Sequence, residues 1–190
     1  IYLKTIDGLK HSISLLDMET GTVTKDLDQW SQSERSGNML DGKMYYYDVA
    51  SNTFVQKDYA TGEVASVENT TGFSFTRIYP ETILDGKLIF SSVVGQNDAE
   101  KHCLDFCVDF EQGEIRELDV MRQDRSRPVN ICAVYGDQVY ALYGSANKTA
   151  TFDLNGQINT TTYSTDLIGH ESVQDFLSGK SNFVPCETLE

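Results

Sequence analysis

No run of about 18 apolar residues occurs anywhere in the 190-residue chain, so no segment is long enough to cross a bilayer as a helix. Basic residues are scarce. With 15 Lys and Arg against 29 Asp and Glu, the net charge of −14 repels phosphates, which argues against nucleic acid and against an anionic membrane surface as partners. Cysteine is also sparse: four in 190 residues is far below the density of a disulfide-held scaffold. Cys103 and Cys107 lie four apart on one expected strand, about 13 Å between Cα atoms, beyond the ~7 Å limit for a disulfide, and all four thiols are expected to be unpaired. The three histidines, His11, His102 and His170, fall in unrelated stretches, and no GxSxG nucleophile motif accompanies them. No signal peptide is visible. The chain opens on Ile1 rather than Met, from which a processed or excised piece is expected, so a missing leader says little about location.

What is present in abundance is turn chemistry, repeated. Leu40 to Val67 reads LDGKMYYYDVASNTFVQKDYATGEVASV: an Asp-Gly turn, an aromatic strand, then two short strands joined across Thr61-Gly62. The first turn recurs as LDGKLIF from Leu84, YGDQVYAL from Tyr135 and LSGKSNF from Leu177, in steps of 44, 51 and 42 residues. The second recurs as LDMETG (16–21), KDYATG (57–62), VDFEQG (108–113) and FDLNG (152–156). A carboxylate at Asp17, Asp58, Asp109 or Asp153 is placed to accept backbone N–H bonds, and the Gly that follows supplies positive φ. The residues after each Asp, Met18, Tyr59, Phe110 and Leu154, are expected to pack against the next unit.

A period of about 40 to 45 residues with four short strands predicts an all-β chain, a β-propeller of four-stranded antiparallel blades. The single domain 1–190 divides into a partial blade at 1–28, blades at about 36–70, 82–120 and 130–163, and a partial blade at about 172–190. Five units of this kind leave the ring incomplete or atypically closed. The strand 102–110 alternates, with His102, Leu104, Phe106, Val108 and Phe110 on one face and Cys103, Asp105, Cys107 and Asp109 on the other. Ligands in a line do not converge as zinc requires, so that face reads as two small thiols and two solvated carboxylates, with no metal or other cofactor implied. The connection 68–81, rich in Phe73, Phe75 and Tyr79, reads either as a loop or as an extra strand.

IYLKTID at 1–7, LDGKMYYYD at 40–48 and the KDYATGE turn at 57–63 resemble the bacterial β-propellers related to the YWTD repeats of low-density-lipoprotein receptors, of the kind found in surface lipoproteins. The resemblance covers nearly the whole chain. It implies an extracytoplasmic, cell-surface location and a recognition role, and it transfers no catalytic residue. The full YWTD tetrapeptide never occurs, and the units fall short of the six of that class.

Five of six arginines lie in the connections between units: Arg35, Arg77, Arg122, Arg125 and Arg127. All such connections emerge at one face of a propeller, and Trp30, Phe73, Phe75, Tyr79 and His170 lie on the same set. Arginine forks suit carboxylates, and aromatic planes suit sugars or peptide side chains. The sequence therefore points to a non-catalytic module binding a peptide, protein or saccharide through that face. Arginine also solvates exposed loops and pairs locally with Glu34 or Asp124. Two alternatives stand beside this reading. A propeller hydrolase would use a carboxylate pair among Glu34, Glu81, Asp124 and Glu171, and a purely structural role would make the chain part of a larger surface protein.

Overall fold

The computed structural model describes residues 1–95, 101–123 and 126–186. They form β1 (Tyr2–Asp7), β2 (Lys10–Leu16), β3 (Val23–Ser31), β4 (Arg35–Leu40), β5 (Lys43–Asp48), β6 (Thr53–Asp58), β7 (Val64–Glu68), β8 (Tyr79–Leu84), β9 (Lys87–Val94), β10 (His102–Asp109), β11 (Glu114–Leu118), β12 (Asn130–Tyr135), β13 (Gln138–Leu154), β14 (Gln157–Ser172), α1 (Val173–Ser178) and β15 (Val184–Pro185). Consecutive strands pair antiparallel into four sheets: β1–β3, β4–β7, β8–β11 and β12–β15, the first three-stranded and the others four-stranded. No helix is long and apolar enough to cross a membrane among the described residues. The chain divides into a unit of residues 1–117 and a second of residues 118–190.

In the first unit the repeated turns form for the physical reasons their residues supply. Asp41 and Gly42 (φ 47° and 79°) and Asp85 and Gly86 (φ 48° and 74°) make the two-residue turns that β-hairpins favour. At the other turn, Asp58 Oδ1 accepts from the N–H groups of Ala60 and Thr61 at 2.8 and 3.2 Å. Asp17 and Asp109 do the same for the residues two and three further on.

The sheet β4–β7 is covered on both faces. Met44, Tyr46 and Val55 pack with Ile13 and Trp30 of the sheet β1–β3, while Tyr45, Tyr47 and Phe54 pack with Leu88, Phe90, Phe106 and Val108 of the sheet β8–β11. Continuous apolar filling of β5 follows from this double burial. Tyr59 lies 5.6 Å from the Tyr2 ring and Phe110 lies 5.9 Å from Tyr45, so these two side chains pack against the preceding sheet rather than the next. Met18 and Leu154 are exposed.

The second unit departs from the expected repeat. Asn155 and Gly156 (φ 57° and 78°) form a two-residue turn between β13 and β14, not a reversal between third and fourth strands. FDLNG is one residue shorter than KDYATG, and Asn-Gly is the strongest hairpin signal available, so the two strands run on in register from Gly144↔Leu167 to Leu154↔Gln157. Residues 172–186 begin no further sheet: α1 follows, and β15 pairs with β14 at Gly169 and His170. Ser172 caps α1, accepting from Asp175 N at 3.0 Å, and Gly179 (φ 75°) closes it in the left-handed conformation. Asp105, expected to be solvated, is 2% exposed and accepts from Ser91 Oγ at 2.6 Å. All four cysteines are free thiols.

Candidate functional site

Antiparallel order fixes which loops share an end of the sheet β8–β11. The connection 69–78 feeds β8 at the end where β9 finishes with Val94 and β10 starts with His102, opposite Val94 in register. That connection contains no strand, and it is anchored rather than loose. Phe75, 2% exposed, sets its ring edge-on to Tyr47, Phe90 and Phe106 at 5.1 to 5.6 Å. Ser36 Oγ accepts from Ile78 N at 2.9 Å and donates to Ile78 O at 3.2 Å, and Ser92 Oγ donates to Arg77 O at 2.7 Å. Asn69 Nδ2 donates to Phe73 O at 2.7 Å.

Held in this way, Arg77 places its guanidinium 5.0 Å over the Tyr79 ring. A cleft of about 790 Å³ opens beside it, lined by Phe73, Arg77, Tyr79, Val93, Lys101 and His102 among others. Its described lining holds Arg77, Lys101 and His102 and no Asp or Glu, in a chain of net charge −14. Cations and aromatic faces in one cleft are the residue types suited to holding a carboxylate.

Of the residues singled out by sequence, Phe73, Arg77 and Tyr79 therefore meet in one cleft. Phe75 is interior, and so is Trp30, at 5% exposure, whose Nε1 has no hydrogen-bond partner among the described residues. Arg35 is committed to the junction between sheets: it pairs with Asp28 at 3.2 Å and Asp48 at 3.7 Å and lies over Tyr46. In the second unit, Arg122 and Arg127 line a hollow of about 300 Å³ with Tyr143 and Asp166, and Arg122 Nη1 donates to Arg127 O at 3.1 Å. His170 Nδ1 lies 3.1 Å from Gln138 Oε1, its ring against Tyr140. Arg125 and Asp124 lie outside the described residues. As for the carboxylates, Glu34 Oε2 accepts from Ser31 N at 2.7 Å, and Glu171 accepts from Ser181 Oγ and from Asn182 N at 2.8 Å. Both serve the backbone or side chains of nearby residues.

Sequence reading missed Lys101 and His102, and it missed Lys4 and His11 as well. Strand order was the available signal, since β9–β10 and the 69–78 connection must emerge at the same end of an antiparallel sheet. Lys4 Nζ donates to Gly37 O at 2.6 Å, next to the Ser36 hydroxyl that holds Ile78. Burial, then the nearby Arg77 charge, lowers the Lys4 pKa, and burial followed by the Lys4 and Arg77 charges lowers that of His11. The Arg77 charge thus acts on Lys4, and the Lys4 and Arg77 charges act on His11. No protein-family model matches the chain, and no curated protein matches it either.

Proposed function

We propose that the four sheets are blades of a β-propeller and that the protein is a non-catalytic recognition module. Its ligand is a peptide, protein or saccharide presenting a carboxylate to the end of the sheet β8–β11 where Arg77 lies. The propeller reading is supported by the sequential strand order of each sheet, the approach of β4 to β8, and the apolar layers on both faces of the sheet β4–β7. The recognition reading rests on one observation: the cleft beside Arg77 gathers cations and aromatic rings without an acidic residue in its described lining. Against an acidic envelope, such a local reversal of sign favours a ligand with one or a few anionic groups over a polyanion. An extracytoplasmic, surface-attached setting fits the resemblance to lipoprotein propellers.

The test is a binding screen of the labelled chain against acidic and neutral peptides and against uronic-acid and neutral oligosaccharides, repeated with Arg77→Gln. Ligands bearing a carboxylate should be retained by the wild type and weakened about tenfold or more by the substitution, the loss expected for one charge-assisted pair. Neutral ligands retained equally by both proteins would overturn the reading.

A further inference from the structure

The hairpin of β13 and β14 outruns the strands beside it. β12 pairs with β13 only as far as Asn130 opposite Leu142, and β15 pairs with β14 only at Gly169 and His170, whereas β13 and β14 stay in register from Gly144↔Leu167 to Leu154↔Gln157. About 34 Å of ribbon is therefore two strands wide. From Gly144 to Ile168 no described residue is buried, and Phe152, Leu154, Ile158 and Tyr163 are 45 to 78% exposed. A two-stranded ribbon is marginal in water on its own.

Backbone alternation fixes which groups its β13 edge presents. The two-residue turn at Asn155-Gly156 makes Leu154 and Gln157 a hydrogen-bonded pair, so Phe152, Ala150, Lys148 and Ala146 direct their N–H and C=O groups at β14, and Asp153, Thr151, Thr149 and Asn147 direct theirs outward. Ser145, next in the outward row, bears this out: its N–H donates to Gln123 Oε1 at 3.2 Å, while Gln123 N donates to Tyr143 O at 3.0 Å. Gln123 thus closes the ladder at its base. This edge is set from within the chain, because Pro128, which has no N–H to donate, precedes β12 at Asn130. The four outward residues beyond Ser145 include neither Lys nor Pro, the residues that keep natural edges apart. Across the ribbon, Thr149 and Thr162 Oγ1 lie 3.5 Å apart, as do Thr151 and Thr160 Oγ1.

We propose that the β13 edge pairs antiparallel with the β13 edge of a second copy of this chain, about a two-fold axis at Ala150, giving a four-stranded sheet from two ribbons. The proposal is independent of the carboxylate-recognition reading. A two-fold perpendicular to the sheet sets each residue opposite one on its own face, and centring it on Ala150 pairs all four outward residues: Thr149 with Thr151 of the copy, and Asn147 with Asp153 of the copy. No like charges meet. The two threonine pairs of each ribbon then continue across the junction, Thr162 and Thr149 meeting Thr151 and Thr160 of the copy, and Thr–Thr neighbours of this kind stabilise a sheet. On the β14 edge the same operation, centred on Thr162, would set Ile158 opposite Asp166, which favours β13 as the contact. Charge points to the same segment: residues 145–165 carry one Lys and one Asp, net zero, in a chain of net charge −14. Two copies of so acidic a chain repel on average, and a neutral, charge-depleted strand is where they can approach.

The experiment is sedimentation equilibrium of the 190-residue chain from about 5 to 500 µM, the range suited to a small interface, with amide exchange measured on ¹⁵N-labelled protein at both ends of it. The wild type should pass from one chain toward two as concentration rises. Exchange at Asn147, Thr149, Thr151 and Asp153 should slow about tenfold or more at the high end, as exposed donors join a ladder, while Ala146, Lys148, Ala150 and Phe152, already paired within the ribbon, should change less. Thr149→Lys with Thr151→Lys sets like charges opposite one another across the two-fold and should hold the chain monomeric. Thr160→Lys with Thr162→Lys alters the same face on the other strand and should leave the association in place. A monomer at every concentration, equal loss of association in the two double variants, or slowed exchange at Ile158, Thr160, Thr162 and Ser164 instead of the β13 row would overturn the proposal. The exchange pattern is read on the wild type, so it decides the matter even if a double variant fails to fold.

Discussion

The Tyr59 hydroxyl donates to Asp28 Oδ2 at 3.0 Å, joining residues 31 apart in sequence and two adjacent sheets. Lys57 Nζ reaches the same oxygen at 2.8 Å, and Arg35 pairs with the other at 3.2 Å. Burial alone would raise the Asp28 pKa, but the hydrogen bonds from Lys57 and Tyr59 and the Lys57 and Arg35 charges outweigh it, so the carboxyl lies below its usual range. Tyr59 moves the other way, its pKa raised by burial and by the Asp28 charge.

Asp28→Asn should therefore destabilise the protein by about 1 to 3 kcal/mol at pH 7, less than a fully buried pair because Lys57 and Arg35 remain partly exposed. The sign of the pH dependence follows from the lowered pKa. A carboxyl depressed in the folded state contributes stability above its unfolded pKa and loses it as pH falls through the folded value. Denaturant titrations from pH 7 down to pH 2 should thus show a steeper acid loss for the wild type than for Asp28→Asn, and parallel curves would refute the assignment.

The connection carrying Arg77 depends on two buried anchors. Ser36→Ala leaves the buried backbone N–H and C=O of Ile78 without their partner, which should cost about 1 to 3 kcal/mol. Phe75→Ala removes a ring in contact with four aromatic neighbours and should cost about 3 to 5 kcal/mol. Equilibrium unfolding in urea measures both, and a Phe75→Ala loss under about 1 kcal/mol would mean that this connection is not held as described.

Much of this was legible in the sequence where one residue type does one local job. Asp-Gly at 41–42 and 85–86 dictates two-residue turns, and Asp58 and Asp109 bind the amides that follow, so the sheets β4–β7 and β8–β11 could be read strand by strand. Reading failed where two local signals compete. Asn155-Gly156 resembles the longer turn in spelling but forms a two-residue hairpin, and Ser172-x-x-Asp175 followed by Gly179 is a helix with both caps, not a fifth repeat. The candidate site was half legible, because arginine and aromatic composition singled out Arg77, Tyr79 and Phe73. Burial of Trp30 and Phe75, the ion pairs of Arg35 and the action of the Arg77 charge on Lys4 and His11 are tertiary relations that spacing along the chain does not encode.

Thiol chemistry checks the burial pattern independently. Cys103 and Cys107 are buried, and burial raises the Cys107 pKa, while Cys132 is exposed and Cys186 partly so. In native buffer a thiol reagent should label Cys132 and Cys186 quickly and leave Cys103 and Cys107 protected, and four thiols should react in denaturant without reductant. Fast native labelling of Cys107 would show that its sheet face is open.

The claim that carries most weight is that a carboxylate ligand is recognised beside Arg77. Its most direct measurement is a chemical-shift map of the ¹⁵N-labelled chain titrated with the tightest carboxylate ligand of the binding screen. The account predicts perturbations concentrated at Gly72 to Tyr79, Val93 to Gly95, Lys101 and His102, and their loss in Arg77→Gln. Perturbations gathered instead at Arg122 to Asn130, or shifts unchanged by the Arg77 substitution, would contradict it.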